Sequence, residues 1–276
     1  MRIALAQIYC GWGEIEGNLD RMARYARMAA DRGAELVVFP ELTVSGICKD
    51  SRIFTVAEDL DGASVRRLSL LAGELGIALG AGLSERTSGR PYNTYCLFGP
   101  DGRLAGAYRK QFIPQLEQPY WQPAAGSPVI ELLGRRFGVA ICWDNTHPDL
   151  LDLYGRQGVD CVLMPHAWDA DALDERGNVI ECATMEEIVA LHRQGGIVRW
   201  RTHDEMLAYF LSYIPGLARR NRFAAVFVSQ CGRPHPSLDF VGPSFVVDST
   251  GELVAATRDG SEGLLVCELE APTRKG

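Results

Sequence analysis

Three side chains with reactive chemistry follow predicted strands at distant points in the sequence. Glu41 follows the apolar run ELVVFP, Lys110 follows a hairpin strand in GAYRKQFIP, and Cys142 ends the apolar run GVAIC. A carboxylate, an ammonium and a thiol are groups that thiol-based nucleophilic catalysis uses. Each also has an ordinary structural interpretation, as a capping carboxylate, a solvated lysine and a core cysteine.

The first half of the chain alternates predicted strands and helices. RIALAQI predicts a strand, and Asn18 is the expected cap of a helix that ends near Gly33. ELVVFP predicts a buried strand, a second helix is expected from Ser64 to Gly76, and IALGAGL predicts another strand. The turn sequence GPDG then predicts a hairpin between YCLF and LAGAY.

The second half repeats this plan. RFGVAIC corresponds to RIALAQI, VDCVLMPH to ELVVFPE, and SFVVDSTGELVAATR to the first hairpin. We expect each half to form a sheet with helices on its outer face, so that the two sheets pack as a four-layer α-β-β-α sandwich of two pseudo-repeated halves. A doubly wound parallel sheet is the alternative, although hairpins are rare in it.

The second half is longer than the first, and the surplus falls at about residues 169–203. We predict one domain over residues 1–276, with this stretch as an exposed helical excursion and candidate lid; a surface insertion or an oligomer contact is the alternative. The following helix, from about Asp204 to Asn221, should kink or break at Pro215-Gly216. The excursion's charged and titratable residues include Glu181, Glu186, Glu187, His192, Arg193, Arg199 and Arg201.

Composition excludes several classes of protein. The 276 residues are 47% hydrophobic and carry a net charge of −7 without a basic block, so a nucleic-acid partner is not expected. No apolar run has the length of a membrane span, and the N-terminus lacks a secretory pattern, which predicts a soluble cytoplasmic protein without a membrane partner. The eight cysteines are dispersed without metal-ligand spacing, so we expect reduced thiols and no metal.

Taken together, the three motifs resemble one family. Glu41 within FPEL, Lys110 within YRK before Pro114, and Cys142 within ICWDN before Pro148 are similar to the motifs of the nitrilase superfamily, the thiol hydrolases of non-peptide carbon–nitrogen bonds. The resemblance extends from Arg2 to about Glu268. It implies the α-β-β-α sandwich, a small-molecule substrate, no cofactor, and a homodimer or larger homo-oligomer.

The resemblance also implies roles for the three residues. Glu41 would be the base that deprotonates Cys142, and the sulfur would attack the carbon of an amide or nitrile. Lys110 and the backbone N–H of Trp143 would stabilise the oxyanion. A thioester would form, and Glu41 would activate the water that hydrolyses it.

Further site residues follow from the same resemblance. The family's second glutamate falls on Glu117, which would orient Lys110 or the substrate nitrogen. Tyr120 and Trp121 are predicted to form an apolar wall beside it. His166, where many relatives have a small hydroxyl residue or Asn, either contacts substrate or packs behind the site.

The favoured activity is hydrolysis of a small linear amide or N-carbamoyl compound to an acid and ammonia. A true nitrilase is the nearest alternative, and the lack of the C-terminal extension common in nitrilases favours the amidase branch. The third hypothesis is a catalytically silent binding protein on the same fold.

Overall fold

A computed structural model describes residues 1–47, 51–181, 187, 190–191, 193–235 and 237–270. The strands are β1 (Arg2–Gln7), β2 (Leu36–Val38), β3 (Ala78–Glu85), β4 (Tyr92–Phe98), β5 (Leu104–Arg109), β6 (Ile130–Leu132), β7 (Arg135–Val139), β8 (Cys161–His166), β9 (Ala172–Leu173), β10 (Arg199–Trp200), β11 (Ala224–Ser229), β12 (Cys231–His235), β13 (Leu238–Val241), β14 (Phe245–Val247), β15 (Leu253–Ala256) and β16 (Gly263–Glu268). The helices are α1 (Ile15–Asp31), α2 (Ile53–Val56), α3 (Ala63–Leu75), α4 (Pro148–Arg156), α5 (His203–Leu211) and α6 (Ile214–Asn221). Two 3₁₀ turns, Gln115–Glu117 and Cys142–Thr146, complete the described elements that matter for the site.

Two six-stranded sheets have the same plan. The first has the order β16-β1-β2-β3-β4-β5, and the second has the order β6-β7-β8-β11-β14-β15. In each, three central strands run parallel, and the remaining pairings are antiparallel. This correspondence confirms the predicted repeat and the GPDG hairpin, which joins β4 to β5.

Alternation along the strands explains the layering, because successive side chains point to opposite faces of a sheet. Ile3 and Leu5 of β1 lie in the core between the sheets, together with Val226 of β11. Ala4 and Ala6 instead face the helices α1 and α3, and the second sheet packs in the same way against α4, α5 and α6. The fold is therefore the predicted four-layer α-β-β-α sandwich.

Helix boundaries differ from the sequence prediction at one informative position. Asn18 is not the cap of α1, which begins a turn earlier at Ile15. The Asn18 side chain is buried and bonds instead with Gly11 and with the carbonyl of Val44. Asn18, a residue type that favours helix caps, therefore links two loops by hydrogen bonds. Local helix propensity does not predict this contact. The helix is interrupted as predicted, but earlier than Pro215-Gly216, since α5 ends at Leu211 and α6 begins at Ile214. Pro215 lies in the first turn of α6, where a helix tolerates proline.

The excursion is anchored by strands rather than by a helix. β9 and β10 pair antiparallel at its base, and Arg201 contacts Asp171 at 3.4 Å. The predicted helical character therefore does not hold for the base of the excursion. His192 and Glu186 lie outside the described residues.

The loop that carries Glu41 packs closely against the backbone of β3 at Gly82. A Cβ atom at Gly82 would lie 2.3 Å from the backbone nitrogen of Leu42 and 3.0 Å from the carbonyl carbon of Glu41. Leu42 also has a φ of 48°, an uncommon value for a residue with a side chain. Only glycine at position 82 allows this turn to lie against the strand.

We predict that Gly82→Ala will lower both stability and turnover, because the added methyl group must displace the backbone that carries Glu41. The expected cost is about 1–3 kcal/mol of unfolding free energy. The matched control is Gly73→Ala in α3, where the new Cβ would have no neighbour closer than 3.6 Å and should leave stability unchanged or raised. Urea unfolding and initial rates measure both effects. A Gly82→Ala variant as stable and active as wild type would contradict the proposed constraint.

Candidate active site

The predicted catalytic residues meet where strands of both sheets end. Glu41 lies three residues beyond β2, Lys110 directly follows β5, and Cys142 lies three residues beyond β7 and opens a 3₁₀ turn. Carboxyl ends of parallel strands lie at one edge of a sheet, where loops carry functional groups. Packing the two sheets face to face brings these loops together.

Lys110 lies between two carboxylates. Its Nζ is 2.8 Å from Oε1 of Glu41 and 3.2 Å from Oε2 of Glu117, and the Lys110 side chain is fully buried. Burial lowers the pKa of the Lys110 ammonium, but the charges of Glu117 and Glu41 outweigh burial and hold it well above its ordinary value. The ammonium therefore stays charged. The structure thus brings Glu117 to Lys110, where the resemblance predicted it.

Neutral donors fix the Glu41 carboxylate. Asn93 donates to its Oε1 at 2.7 Å, and the backbone N–H of Ala167 donates to its Oε2 at 2.8 Å. Gln230 donates to the Glu41 carbonyl at 2.8 Å. Sequence reasoning missed Asn93 and Gln230. The available signal was a buried polar residue within or directly after an apolar strand.

Cys142 has an uncommon backbone conformation and a thiol whose pKa is raised. Its φ is 48°, in the left-handed region that costs a non-glycine residue about 1–2 kcal/mol. Burial, followed by the charge of Glu41, raises the pKa of its thiol well above the ordinary value, and Lys110 opposes this only in part. The resting thiol is therefore protonated at neutral pH. Nucleophilic attack requires a base to take its proton, and the interacting carboxylate of Glu41 is chemically suited to do so.

Aromatic side chains occupy two positions beside these groups. Trp121 is buried in an apolar cluster with Leu42 and Ala167, the neighbours of the Glu41 carboxylate, and Tyr120 packs against that cluster. The ring of Trp143, the residue after Cys142, is partly exposed and lies 5.6 Å from the ring of Trp168. The structure thus places Tyr120, Trp121 and Trp143 on elements that surround the site.

His166 has no free ring nitrogen. Nδ1 lies 3.0 Å from the carbonyl of Met164, and Nε2 lies 3.3 Å from Nδ2 of Asn145, which assigns the proton to Nδ1. Burial lowers the pKa of the imidazole to about 3, and the ring stacks on Phe227 at 3.7 Å. This geometry favours packing over substrate contact, the second of the two roles predicted for His166.

The described residues include no group of three or more His, Cys, Asp or Glu side chains placed to hold a metal ion. No helix in the same part of the chain has the length and apolar character of a membrane span.

Residues 2–275 match the family model described as carbon-nitrogen hydrolase. The chain belongs to this family. It is 30% identical over 282 residues to the citrullinase of Francisella tularensis, across 95% of this chain and 86% of the relative. It is 26% identical over 281 residues to the N-carbamoylputrescine amidase of Solanum lycopersicum, across 97% of this chain and 85% of the relative.

Solved structures of related amidases have a similar fold. A point mutant of the amidase from Nesterenkonia sp. AN1 has a TM-score of 0.76 and 26% identity, with 98% of this chain and 93% of that chain covered. In that structure acrylamide is added to the active-site cysteine by Michael addition. The predicted superfamily and reaction class are confirmed: this carbon-nitrogen hydrolase is an enzyme that acts on carbon–nitrogen bonds.

We predict that Lys110→Met will lower kcat by about 10² to 10³ and change KM much less, because the ammonium is expected to act on the oxyanion. The loss also leaves Glu41 and Glu117 without their buried cation, so unfolding must be measured in parallel. Lys110→Arg should not restore turnover, since a planar guanidinium does not replace a compact ammonium. A folded and fully active Arg variant would contradict the role.

Proposed function

We propose that this carbon-nitrogen hydrolase cleaves a small linear amide or N-carbamoyl compound and releases ammonia through a thioester on Cys142. The observation that carries the proposal is the buried Lys110 ammonium held between Glu41 and Glu117. The names of the citrullinase and the two amidases support substrates of this class.

The proposed reaction begins with proton transfer from the Cys142 thiol to Glu41 as the sulfur attacks the carbonyl carbon. The carbonyl oxygen takes the negative charge, which Lys110 and the N–H of Trp143 stabilise. Glu41 then gives the proton to the leaving nitrogen, the carbon–nitrogen bond breaks, and ammonia departs. The acyl group remains on the sulfur as a thioester.

Hydrolysis of the thioester uses the same groups. Glu41 takes a proton from water as the oxygen attacks the acyl carbon, and the carbon–sulfur bond then breaks. The proton returns to sulfur, and the acid leaves. With an N-carbamoyl substrate the released acid is a carbamic acid, which decomposes to an amine and carbon dioxide.

Ammonia release from a substrate panel tests this proposal. We expect wild type to release ammonia from a short aliphatic amide or an N-carbamoyl amine, and Cys142→Ala to lose about 10³-fold or more of that rate. Cys96→Ala, which also removes a buried free thiol, is the matched control and should retain activity. Mass spectrometry of quenched wild type should detect an acyl adduct on Cys142.

Each other outcome has a distinct meaning. Turnover of nitriles alone would identify the nitrilase alternative, and absence of turnover across the panel would favour the silent binding protein. Normal turnover by Cys142→Ala would exclude the thioester.

We also propose that the excursion acts as a lid. It follows β8 after two linking residues, Ala167, whose N–H contacts Glu41, and Trp168, which packs against Trp143. The segment therefore starts beside the proposed nucleophile, where closure over a substrate would exclude water.

Shortening the excursion tests the lid. Residues 174–198 should be replaced by a short Gly/Ser linker, which keeps β9, β10 and the contact between Asp171 and Arg201. We expect the variant to fold and to react with iodoacetamide at Cys142, but to differ from wild type in kcat/KM among substrates of different size or charge. An unchanged substrate profile would show that the segment is a surface insertion or an oligomer contact.

The homo-oligomer and the cytoplasmic location stay predictions.

A further inference from the structure

Asp144 is a buried carboxylate two residues after the nucleophile, and neither the predicted roles nor the proposed reaction uses it. Its Oδ2 accepts from the Tyr108 hydroxyl at 2.8 Å and from the N–H of Ile141 at 2.9 Å. Its Oδ1 accepts from the N–H of Phe112 at 2.9 Å and from the N–H of Gln111 at 3.3 Å. Four donors thus converge on one side chain.

These donors flank both reactive residues. Ile141 directly precedes Cys142, whereas Gln111 and Phe112 directly follow Lys110, and Tyr108 lies two residues before Lys110 on β5. β5 belongs to the first sheet and the 3₁₀ turn of Cys142 follows the second, so Asp144 connects the two sheets at the site. It fixes the backbone on either side of Lys110 to the turn that carries the thiol.

A carboxylate is the group this position requires. The side chain is fully buried, and of the Lys and Arg residues that the structure describes, none forms an ion pair with it. Burial raises the pKa of Asp144 to about 6, while Lys110 and the hydrogen bonds from Phe112, Tyr108 and Ile141 favour the ionised form. An ionised carboxylate accepts at both oxygens, whereas an asparagine would turn an amide N–H₂ toward two of the donors.

The strained nucleophile adds a reason for such a connection. Cys142 holds a left-handed backbone conformation, and the bond from Ile141 to Asp144 closes the 3₁₀ turn around it. Strained residues keep their conformation only where surrounding contacts enforce it. Asp144, which accepts from Ile141 in this turn, also accepts from the two backbone N–H groups that follow Lys110.

We propose that Asp144 is a positioning residue that sets the location of the Cys142 thiol relative to the Lys110 ammonium. It acts through the backbone of Ile141, Gln111 and Phe112 and through Tyr108, and it does not touch the substrate. The inference rests on the proposed hydrolysis, since its readout is turnover.

Asp144→Asn is the primary test, with Asp160→Asn as the matched control. Asp160 is also a buried carboxylate that accepts a backbone N–H, from Arg136 at 2.8 Å, but it lies at the opposite end of β7 and β8. We expect Asp144→Asn to lower kcat by about 10²-fold with little change in KM, because a small displacement of reacting groups has an effect of that size. Its iodoacetamide reaction at Cys142 should have a changed rate and pH profile. Asp160→Asn should change only the unfolding midpoint.

A second pair of variants covers the case in which Asp144→Asn does not fold. Tyr108→Phe removes one donor to Asp144 and should lower kcat by about tenfold, the effect of losing one hydrogen bond to a charged group. Tyr154→Phe removes a comparable buried hydroxyl, which donates to the carbonyl of Val139 at 2.8 Å, and should retain turnover near wild type.

The outcomes separate this inference from the proposed function. If wild type releases ammonia while folded Asp144→Asn, or Tyr108→Phe in its place, keeps the wild-type kcat and alkylation profile, the positioning role is wrong and the hydrolase remains. If wild type itself releases no ammonia from any amide, carbamoyl compound or nitrile, the proposed function is wrong, and the alkylation profile of the variants still tests the positioning of Cys142.

Discussion

The structure depends on how it accommodates one buried ammonium. Lys110 is fully enclosed, and an unpaired charge there would be strongly destabilising. Glu41 and Glu117 supply its partners, and Glu41 in turn needs the amide of Asn93 and the N–H of Ala167. Each of these groups comes from a different strand end or loop. Ala167 follows β8 of the second sheet, whereas Glu41 and Lys110 follow strands of the first, so a shift between the sheets would remove a donor from the buried Glu41 carboxylate.

Backbone geometry supports the same arrangement. Two residues with side chains adopt left-handed conformations beside the reactive groups, Leu42 after Glu41 and Cys142 itself. Gly82 lets the first turn approach β3, and Asp144 closes the second. Conformations that are unfavourable locally are thus maintained by contacts with distant segments, which is a common property of active sites.

The sequence was sufficient to predict the layers, and its candidate residues Glu41, Lys110 and Glu117 form one cluster in the structure. Hydrophobic runs such as ELVVFP, the GPDG hairpin and the repeat of both in the second half indicated the sandwich, because these signals are local or periodic. The sequence did not predict the contacts of Asn18, Asn93 and Asp144. Each is a polar residue with at least one partner far away in the chain, so its full role depends on tertiary structure rather than on local pattern. The base of the excursion was mispredicted as helical because charged, weakly apolar sequence does not distinguish a helix from a short strand pair.

The charge balance around Lys110 has a consequence for the end of the catalytic cycle. One ammonium and two carboxylates give the cluster a formal negative charge, in surroundings where electrostatic forces are weakly screened. A neutral amide enters such a site without repulsion. In the proposed reaction its acid product becomes an anion at neutral pH, and that anion is repelled by the carboxylates that helped to form it. The same cluster would therefore disfavour product retention and the reverse reaction.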